Sequence, residues 1–264
     1  MKTYLAIINA YWQRALTYRA TVIGYRFGEI GEVLVLILMW SAIYSGREVV
    51  QGYALQEMIT YVLIGSFFHV IVRNWLATVV AFDIKEGRLS MFLLRPLSYF
   101  EFVLAREVGR ISLATLLSVG SQALVMVFFA KIIIVNFDAA RLALIGVMLV
   151  LAFLNELLIS FIVGCIAFWT DEVDGLHSTI ERIKRFFSGG YFPLSLLPPA
   201  FFGASLYGPF AYSFFVPAQL YLGKMDAGEG LKGIVVQLAW IGMLGGAAAV
   251  TWKLGLKKYE GVGI

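Results

Sequence analysis

Long apolar runs alternate with short polar and basic segments along the whole chain. A helix needs about 20 apolar residues to cross the hydrocarbon core of a bilayer. Stretches that approach this length fall at residues 22–46, 56–82, 108–134, 142–170, 172–196 and 230–254. The pattern therefore predicts an all-α, polytopic membrane protein with six transmembrane helices. Neither internal repeats nor low-complexity tracts are apparent in the sequence, so residues 1–264 are interpreted as one transmembrane domain.

The segment before the first run, residues 1–20, has a helical rather than a continuous apolar pattern. Leu5, Ile8, Trp12 and Leu16 recur at spacings of three and four, as they would on one face of a helix. We expect an amphipathic helix that lies in the cytosolic interface of the membrane. The alternative is that this segment simply extends the first span.

A second segment, residues 186–224, is apolar and aromatic but contains five of the six prolines in the chain. So many prolines prevent one continuous helix. Broken backbone at membrane depth must be buried in protein or line a cavity. We therefore expect short re-entrant helices between the fifth and sixth spans, and the alternative is an ordinary hydrophobic loop on the outer surface.

Composition and charge support the membrane assignment. The chain is 60% hydrophobic and only 14% charged, which is too little charge for the surface of a soluble domain. Most of the 21 Lys and Arg residues fall on one side of the six-span layout, which places both termini in the cytosol. We expect neither nucleic-acid binding nor, with two histidines and no Cys/His cluster, a metal site. The lone Cys165 is interpreted as a packing residue.

Charged residues inside the predicted spans are costly and therefore candidates for function. Arg73 falls near the middle of the second span and Glu156 near the middle of the fourth, so we expect them to pair or to face one cavity. Glu29 and Glu32 lie three residues apart in the first span. They form either an interfacial charge cluster or helix–helix contact, or else a cytosolic gate or a site that favours cationic substrates.

The fifth span is unusually polar at its start, TDEVDGLHSTIERIKRFFSGG. It is either a continuous span over 172–196 that faces a wet cavity or an interface between subunits, or a surface helix followed by a short, Gly-broken span from near Phe186. In both cases Arg182 and Arg185 are candidates to meet an anionic partner, either substrate or lipid headgroup. The candidates for a translocation path are therefore Glu29, Glu32, Arg73, Glu156, Arg182 and Arg185.

The loop between the second and third spans, residues 83–100, is basic and amphipathic. Leu89, Phe92, Leu93 and Leu97 can share one helical face, and Pro96 ends or kinks that helix. An exposed apolar face on a short surface helix needs a partner or the membrane to cover it. We interpret the segment as the contact point for a cytosolic motor.

The sequence resembles the permease subunits of bacterial type-2 ATP-binding-cassette (ABC) exporters over essentially its whole length. The resemblance rests on EGRLSMFLLRPLSYF (86–100), SGGYFPLSLLP (188–198) and GPFAYSFFVPAQLYLGK (208–224), in this order. It implies an interfacial helix, six spans, a coupling helix after the second span and re-entrant helices before the sixth. The residues it assigns to ATPase coupling are Glu86, Gly87, Leu89, Phe92, Leu93, Leu94, Arg95, Pro96 and Leu97.

The resemblance also implies partners and a location. Two permeases, identical or related, pair in the bacterial inner membrane among its lipids, and each binds an ABC ATPase subunit. ATP and magnesium belong to that subunit, because the chain has no G-x-x-x-x-G-K-[ST] loop to hold nucleotide phosphates. We expect no enzymatic activity, no catalytic residues and no cofactor in this chain. A secondary transporter or channel is the main alternative, and an intramembrane enzyme is a further one.

Overall fold

The computed structural model describes residues 2–17, 19–94, 98–170 and 173–259. The helices are α1 (Lys2–Thr17), α2 (Arg19–Ile43), α3 (Leu55–Val72), α4 (Leu76–Lys85), α5 (Arg88–Leu93), α6 (Tyr99–Phe128), α7 (Ala139–Cys165), α8 (Asp174–Phe187), α9 (Pro199–Tyr207), α10 (Phe215–Leu222) and α11 (Ala227–Lys258). A two-stranded antiparallel hairpin, β1 (Val49–Val50) and β2 (Tyr53–Ala54), joins α2 to α3. The protein is thus mostly helical, as the sequence predicts.

Four helical stretches in the described part of the chain are long and apolar enough to cross a membrane. They are Leu55–Lys85, Tyr99–Phe128, Ala139–Phe168 and Ala227–Lys258. These stretches overlap the predicted second, third, fourth and sixth spans. The predicted first and fifth spans are not among the four. Their helices, α2 and α8, each include several charged residues.

The second predicted span, over 56–82, is confirmed as the candidate membrane stretch Leu55–Lys85, but its helix is interrupted. Helix α3 ends at Val72 and α4 begins at Leu76. Two groups at the break have partners: the Arg73 carbonyl accepts a hydrogen bond from Arg110 (2.9 Å), and the Asn74 side-chain oxygen accepts one from the Leu76 amide (3.1 Å). A helix can be broken at membrane depth when neighbouring groups satisfy its backbone in this way.

Of the two forms expected for the fifth span, a continuous helix over 172–196 is not observed. Helix α8 has 14 residues, which is about 21 Å and shorter than the hydrocarbon core. It ends because Gly189 adopts a left-handed conformation (φ +84°) and the Gly190 amide turns back to the Arg185 carbonyl (3.0 Å). The alternative span beginning near Phe186 is not helical either, since α8 stops at Phe187.

The buried apolar side chains form two separate cores. The first core includes residues of α2, α3 and α10, and the second includes residues of α4, α5 and the end of α7. The boundary crosses the α3–α4 break, because Val72 belongs to the first core and Leu76 to the second. Buried polar residues lie at the same level of the other helices: the amide of Asn155 in α7 donates to the carbonyl of Gln237 in α11 (3.2 Å). We call this level the polar layer.

Helix α10 and the turn after α8 are held against the first core. The Tyr61 hydroxyl of α3 donates to the Gly189 carbonyl (2.6 Å), and the Phe215 amide of α10 donates to the Ser188 carbonyl (3.0 Å). The broken backbone of residues 186–224 thus has buried partners, as expected for non-helical chain at membrane depth. Its re-entrant position in a bilayer stays a prediction.

Helix α1 packs along α6. The Trp12 indole donates to the Ser112 hydroxyl (2.9 Å), and the Tyr4 hydroxyl donates to the Glu101 carboxylate. That hydrogen bond to a carboxylate raises the pKa of Tyr4 above its ordinary value. Of the predicted helix over 1–20, Lys2–Thr17 is present as α1 and residues 19 and 20 belong to α2, while its place in the membrane interface stays a prediction.

Candidate functional site

The break between α3 and α4 opens onto a polar cavity of about 300 Å³. One wall is formed by the break at residues 73–75 and by His69, one turn earlier on α3. The other wall is formed by α8 and by Tyr191 in the loop after it. The lining residues are His69, Arg73, Asn74, Trp75, His177, Ser178, Glu181, Arg182, Arg185 and Tyr191. The cavity exists because the helix stops: residues 73–75 leave the helical path and carry their side chains toward α8.

A second cavity, of about 270 Å³, adjoins the first and shares Arg73 and Trp75 with it. Its wall is more apolar, with Val70 on α3 and Leu113, Ala114 and Leu117 on α6. Arg73 thus lies between a polar space and an apolar one. We call the two the polar cavity and the apolar cavity.

Two narrow cavities extend from the same arginine. One is lined by Glu29, Glu32 and Arg185, and the other by Glu156. All six residues proposed from the sequence for a translocation path therefore line spaces that meet at Arg73. The sequence could identify them as costly charges inside apolar runs, and the fold brings them together.

The acidic residues of this region are paired with cations. Glu29 lies 2.7 Å from Arg26, and Glu32 pairs with Arg185. Lys184 bridges Glu156 and Glu181, with 2.6 Å to the latter. Both carboxylates of α2 are therefore engaged in ion pairs with arginines, and the roles expected for them as a gate or a cation site stay predictions.

The predicted pairing of Arg73 with Glu156 is wrong. The partner of Glu156 is Lys184, which lies on α8. The helix break explains the difference: a continuous helix would keep Arg73 on the α3 axis, whereas the broken chain places its guanidinium against the Trp75 ring, 5.0 Å from the centroid. Arg73 and Glu156 do line one narrow cavity, which is the other arrangement expected for them.

The coupling segment forms a six-residue helix, α5, whose apolar side chains divide between two environments. Leu89 is fully buried in the second core, and Phe92 packs on Phe102 with 4.2 Å between ring centroids. Leu93 and Leu94 are 50% and 87% exposed. The predicted common face is therefore wrong, because Leu89 belongs to the permease core while Leu93 faces outward.

The start of α5 is fixed by glycine. Gly87 has a left-handed conformation (φ 68°), which turns the chain directly after α4, and Glu86 caps that helix. Met91, which was not among the predicted coupling residues, is 65% exposed beside Leu94. Arg95, Pro96 and Leu97 lie outside the described residues, so their roles stay predictions.

The comparison with known families decides the identity of the fold. A family model described as an ABC-2 family transporter protein matches residues 30–263, which include the helix break, α5 and α8. The chain belongs to the ABC-2 family. The resemblance to a permease subunit of this type is thereby confirmed, and the ABC-2 permease is a multi-pass membrane transport component. No curated protein matches the chain.

Sequence reasoning missed several residues that shape the site in this ABC-2 permease. Lys184 looked like part of a solvated charged segment, yet it is buried between two glutamates. Arg110 was not among the residues selected from the sequence, yet it donates a hydrogen bond to the Arg73 carbonyl. Asn74 gave the one usable signal, because an asparagine inside an apolar run is a frequent helix cap and marks a possible break.

Proposed function

We propose that this ABC-2 permease is the membrane-spanning subunit of an ATP-driven exporter. In this proposal six spans, with α2 and the α8 region as the first and fifth, place both termini in the cytosol of a bacterial inner membrane. The permease forms a dimer with a second permease, either identical or related. Each of the two binds a separate ATPase subunit that holds ATP and magnesium. The observation that supports the proposal best is the outward apolar surface of α5, formed by Met91, Leu93 and Leu94.

This surface is attached to the permease in a way that suits the transfer of force. The Ser90 hydroxyl forms a hydrogen bond with the Tyr259 hydroxyl (3.0 Å), and the Ser90 amide donates one to the same hydroxyl (3.2 Å). These bonds connect α5 to the residue that follows α11. Arg88 lies over the Phe82 ring of α4, 4.5 Å from its centroid. A displacement of α5 by a bound partner therefore has to move α4 and the end of α11.

Helix α4 passes the displacement on to the cavities. It packs closely on α7 at Gly164, where the side chain of Val80 and the carbonyl of Ala77 leave no room for another carbon. Its other end begins at the break that carries Arg73 and Trp75. Movement of α4 thus changes the wall shared by the polar and apolar cavities, which is how an ATPase cycle would act on cargo.

The experiment is co-purification of the permease with the ATPase encoded beside it, in nanodiscs. Wild type is compared with the double variant Leu93→Asp/Leu94→Asp. A matched control is Val135→Asp/Phe137→Asp, which places the same charges on two exposed apolar residues of the loop between α6 and α7, on the predicted outer side. We expect an ATP-hydrolysing complex with the wild type and the control, and none with the Leu93/Leu94 variant.

Two results would contradict the proposal. If the wild type binds no ATPase, the permease works without one, and a secondary transporter or channel becomes the better description. If the Leu93/Leu94 variant binds as well as the control, the ATPase contacts a different surface and α5 is not the coupling helix.

A further inference from the structure

We propose that the paired cavities at the helix break bind an amphipathic anion, with its oxyanion head in the polar cavity and its apolar tail in the apolar cavity. Arg73 is the residue between them and the main ligand of the head. This inference rests on the proposed transport function only where it treats the bound anion as cargo or lipid that enters the translocation path. The binding itself is testable without an ATPase.

The first argument is charge. Three arginines, Arg73, Arg182 and Arg185, line the polar cavity together with one glutamate, Glu181. That glutamate is already bound to Lys184 at 2.6 Å. Within the described chain, neither Arg73 nor Arg182 has a carboxylate within ion-pair distance. A partly enclosed site with an excess of positive charge favours an anion over a cation.

The second argument is the set of hydrogen-bond donors without acceptors. Asn74 is only 4% exposed and lines the polar cavity, and its amide nitrogen has no partner among the described residues while its oxygen caps α4. The Nε of Arg185 is likewise buried and unpartnered there. Buried donors normally have acceptors, so each such group calls for an explanation. An oxyanion supplies acceptors to both.

The third argument is the apolar cavity beside these donors. Apart from the shared Arg73, its cations are already paired, Arg26 with Glu29 and Arg110 with Glu107, each at 2.7 Å. What remains is the surface formed by Val70, Leu113, Ala114 and Leu117. Ligand sites commonly combine an apolar wall with a few converging polar groups. The geometry therefore fits a molecule that is charged at one end and apolar at the other.

Such a molecule can come from the bilayer as an anionic phospholipid or from the cytosol as a soluble amphipathic anion. Two measurements on the purified permease in neutral detergent separate these sources. Native mass spectrometry after extraction from vesicles of phosphatidylglycerol and phosphatidylcholine reports retained lipid. Titration with hexyl phosphate, followed by thermal shift, reports soluble-anion binding, and hexyltrimethylammonium serves as the cationic probe of matched tail length.

Three variants are compared with the wild type. Arg73→Gln removes the central cation. Arg182→Gln removes a cation that is exposed and makes no ion pair among the described residues, so its fold should be unaffected. Arg47→Gln is the control, because Arg47 is exposed in the loop after α2, away from the cavities. Removing one charged ligand should weaken anion binding by about tenfold or more.

We expect at least one anionic ligand, either phosphatidylglycerol or hexyl phosphate, to bind the wild type and Arg47→Gln, and to bind Arg73→Gln and Arg182→Gln more weakly. Retained phosphatidylglycerol identifies the bilayer source, and hexyl phosphate binding without retained lipid identifies the soluble one. Equal anion affinity in Arg182→Gln and Arg47→Gln overturns the inference, as does equal or tighter binding of the cationic probe. ATPase co-purification is scored separately, so failure of either proposal is recognised independently.

Discussion

Gly164 of α7 should be the most sensitive glycine in the contact between α7 and α4. A Cβ added at this position would lie 2.7 Å from the Val80 Cβ and 2.8 Å from the carbonyl oxygen of Ala77. The second of these atoms is backbone, so it cannot move without α4. Forcing an extra carbon into a well-packed contact typically costs about 1–3 kcal/mol. We therefore expect Gly164→Ala to lower the free energy of unfolding.

The matched control is Gly146→Ala, in the same helix, where an added Cβ meets nothing within 4 Å. Both substitutions gain the same helix propensity, about 1 kcal/mol, so this gain cancels in the comparison. The difference between the variants then measures the contact alone, about 1–3 kcal/mol. For a chain of this size that difference corresponds to roughly 2–12 °C in Tm.

The assay is thermal unfolding of both purified variants in the same detergent, read by circular dichroism. The Gly164 variant should unfold several degrees below the Gly146 variant. Equal Tm values would refute the reasoning, because they would mean that α4 is free to move away from α7. The close contact proposed to carry motion from α5 to the cavities would then not exist.

Two further predictions use pairs of variants. Gly109→Ala places a Cβ 2.9 Å from the Cα of Ile8 and should loosen α1 from α6. The measurement is the rate of protease cleavage within α1, which should rise. Gly120→Ala, on the same helix with open space around it, should leave that rate unchanged. Leu89→Ala should lower the Tm through a loss of about 2–5 kcal/mol, whereas Leu94→Ala should leave Tm unchanged and weaken ATPase binding. Equal Tm in the two leucine variants would contradict the division of α5.

The long helices could be predicted because their signal is local. An apolar run of sufficient length is enough to indicate α7 and α11, and the observed helices Ala139–Cys165 and Ala227–Lys258 overlap the predicted spans closely. The start of α6 was misplaced by nine residues. Its first turns contain charged residues, and the carboxylate of Glu101 accepts a hydrogen bond from the Tyr4 hydroxyl, 97 positions away, which sequence position does not reveal.

The helix break was not predicted from the sequence because residues 73–75 include neither proline nor glycine. Asn74 can cap a helix, but an asparagine inside a span can equally bond across to another helix. The broken conformation is stabilised by Arg110, which lies 37 positions away in sequence and donates a hydrogen bond from its side chain to the Arg73 carbonyl. A contact of that kind depends on the packing of α6 against α3, which no local pattern contains.

The partner of Glu156 was missed for a related reason. Charge and depth indicated that Glu156 needs a cation, and Arg73 was the cation at a similar predicted depth. Lys184 was overlooked because its neighbours in α8 are so polar that the whole segment resembled a solvated surface. The fold inserts one face of α8 beside α7, and Lys184 lies on that face, between Glu156 and Glu181.

The polar layer between the two cores has a mechanical consequence. Interdigitated apolar side chains resist sliding, because any shift opens voids or creates clashes. Hydrogen-bonding groups such as Asn155 and Gln237 can exchange partners, with water if needed, as the surfaces move past each other. The α3–α4 path is broken at this level, whereas α7 contributes to both cores as one unbroken helix. We therefore expect any relative motion of the two cores to concentrate at residues 73–75 and to be limited by the bending of α7.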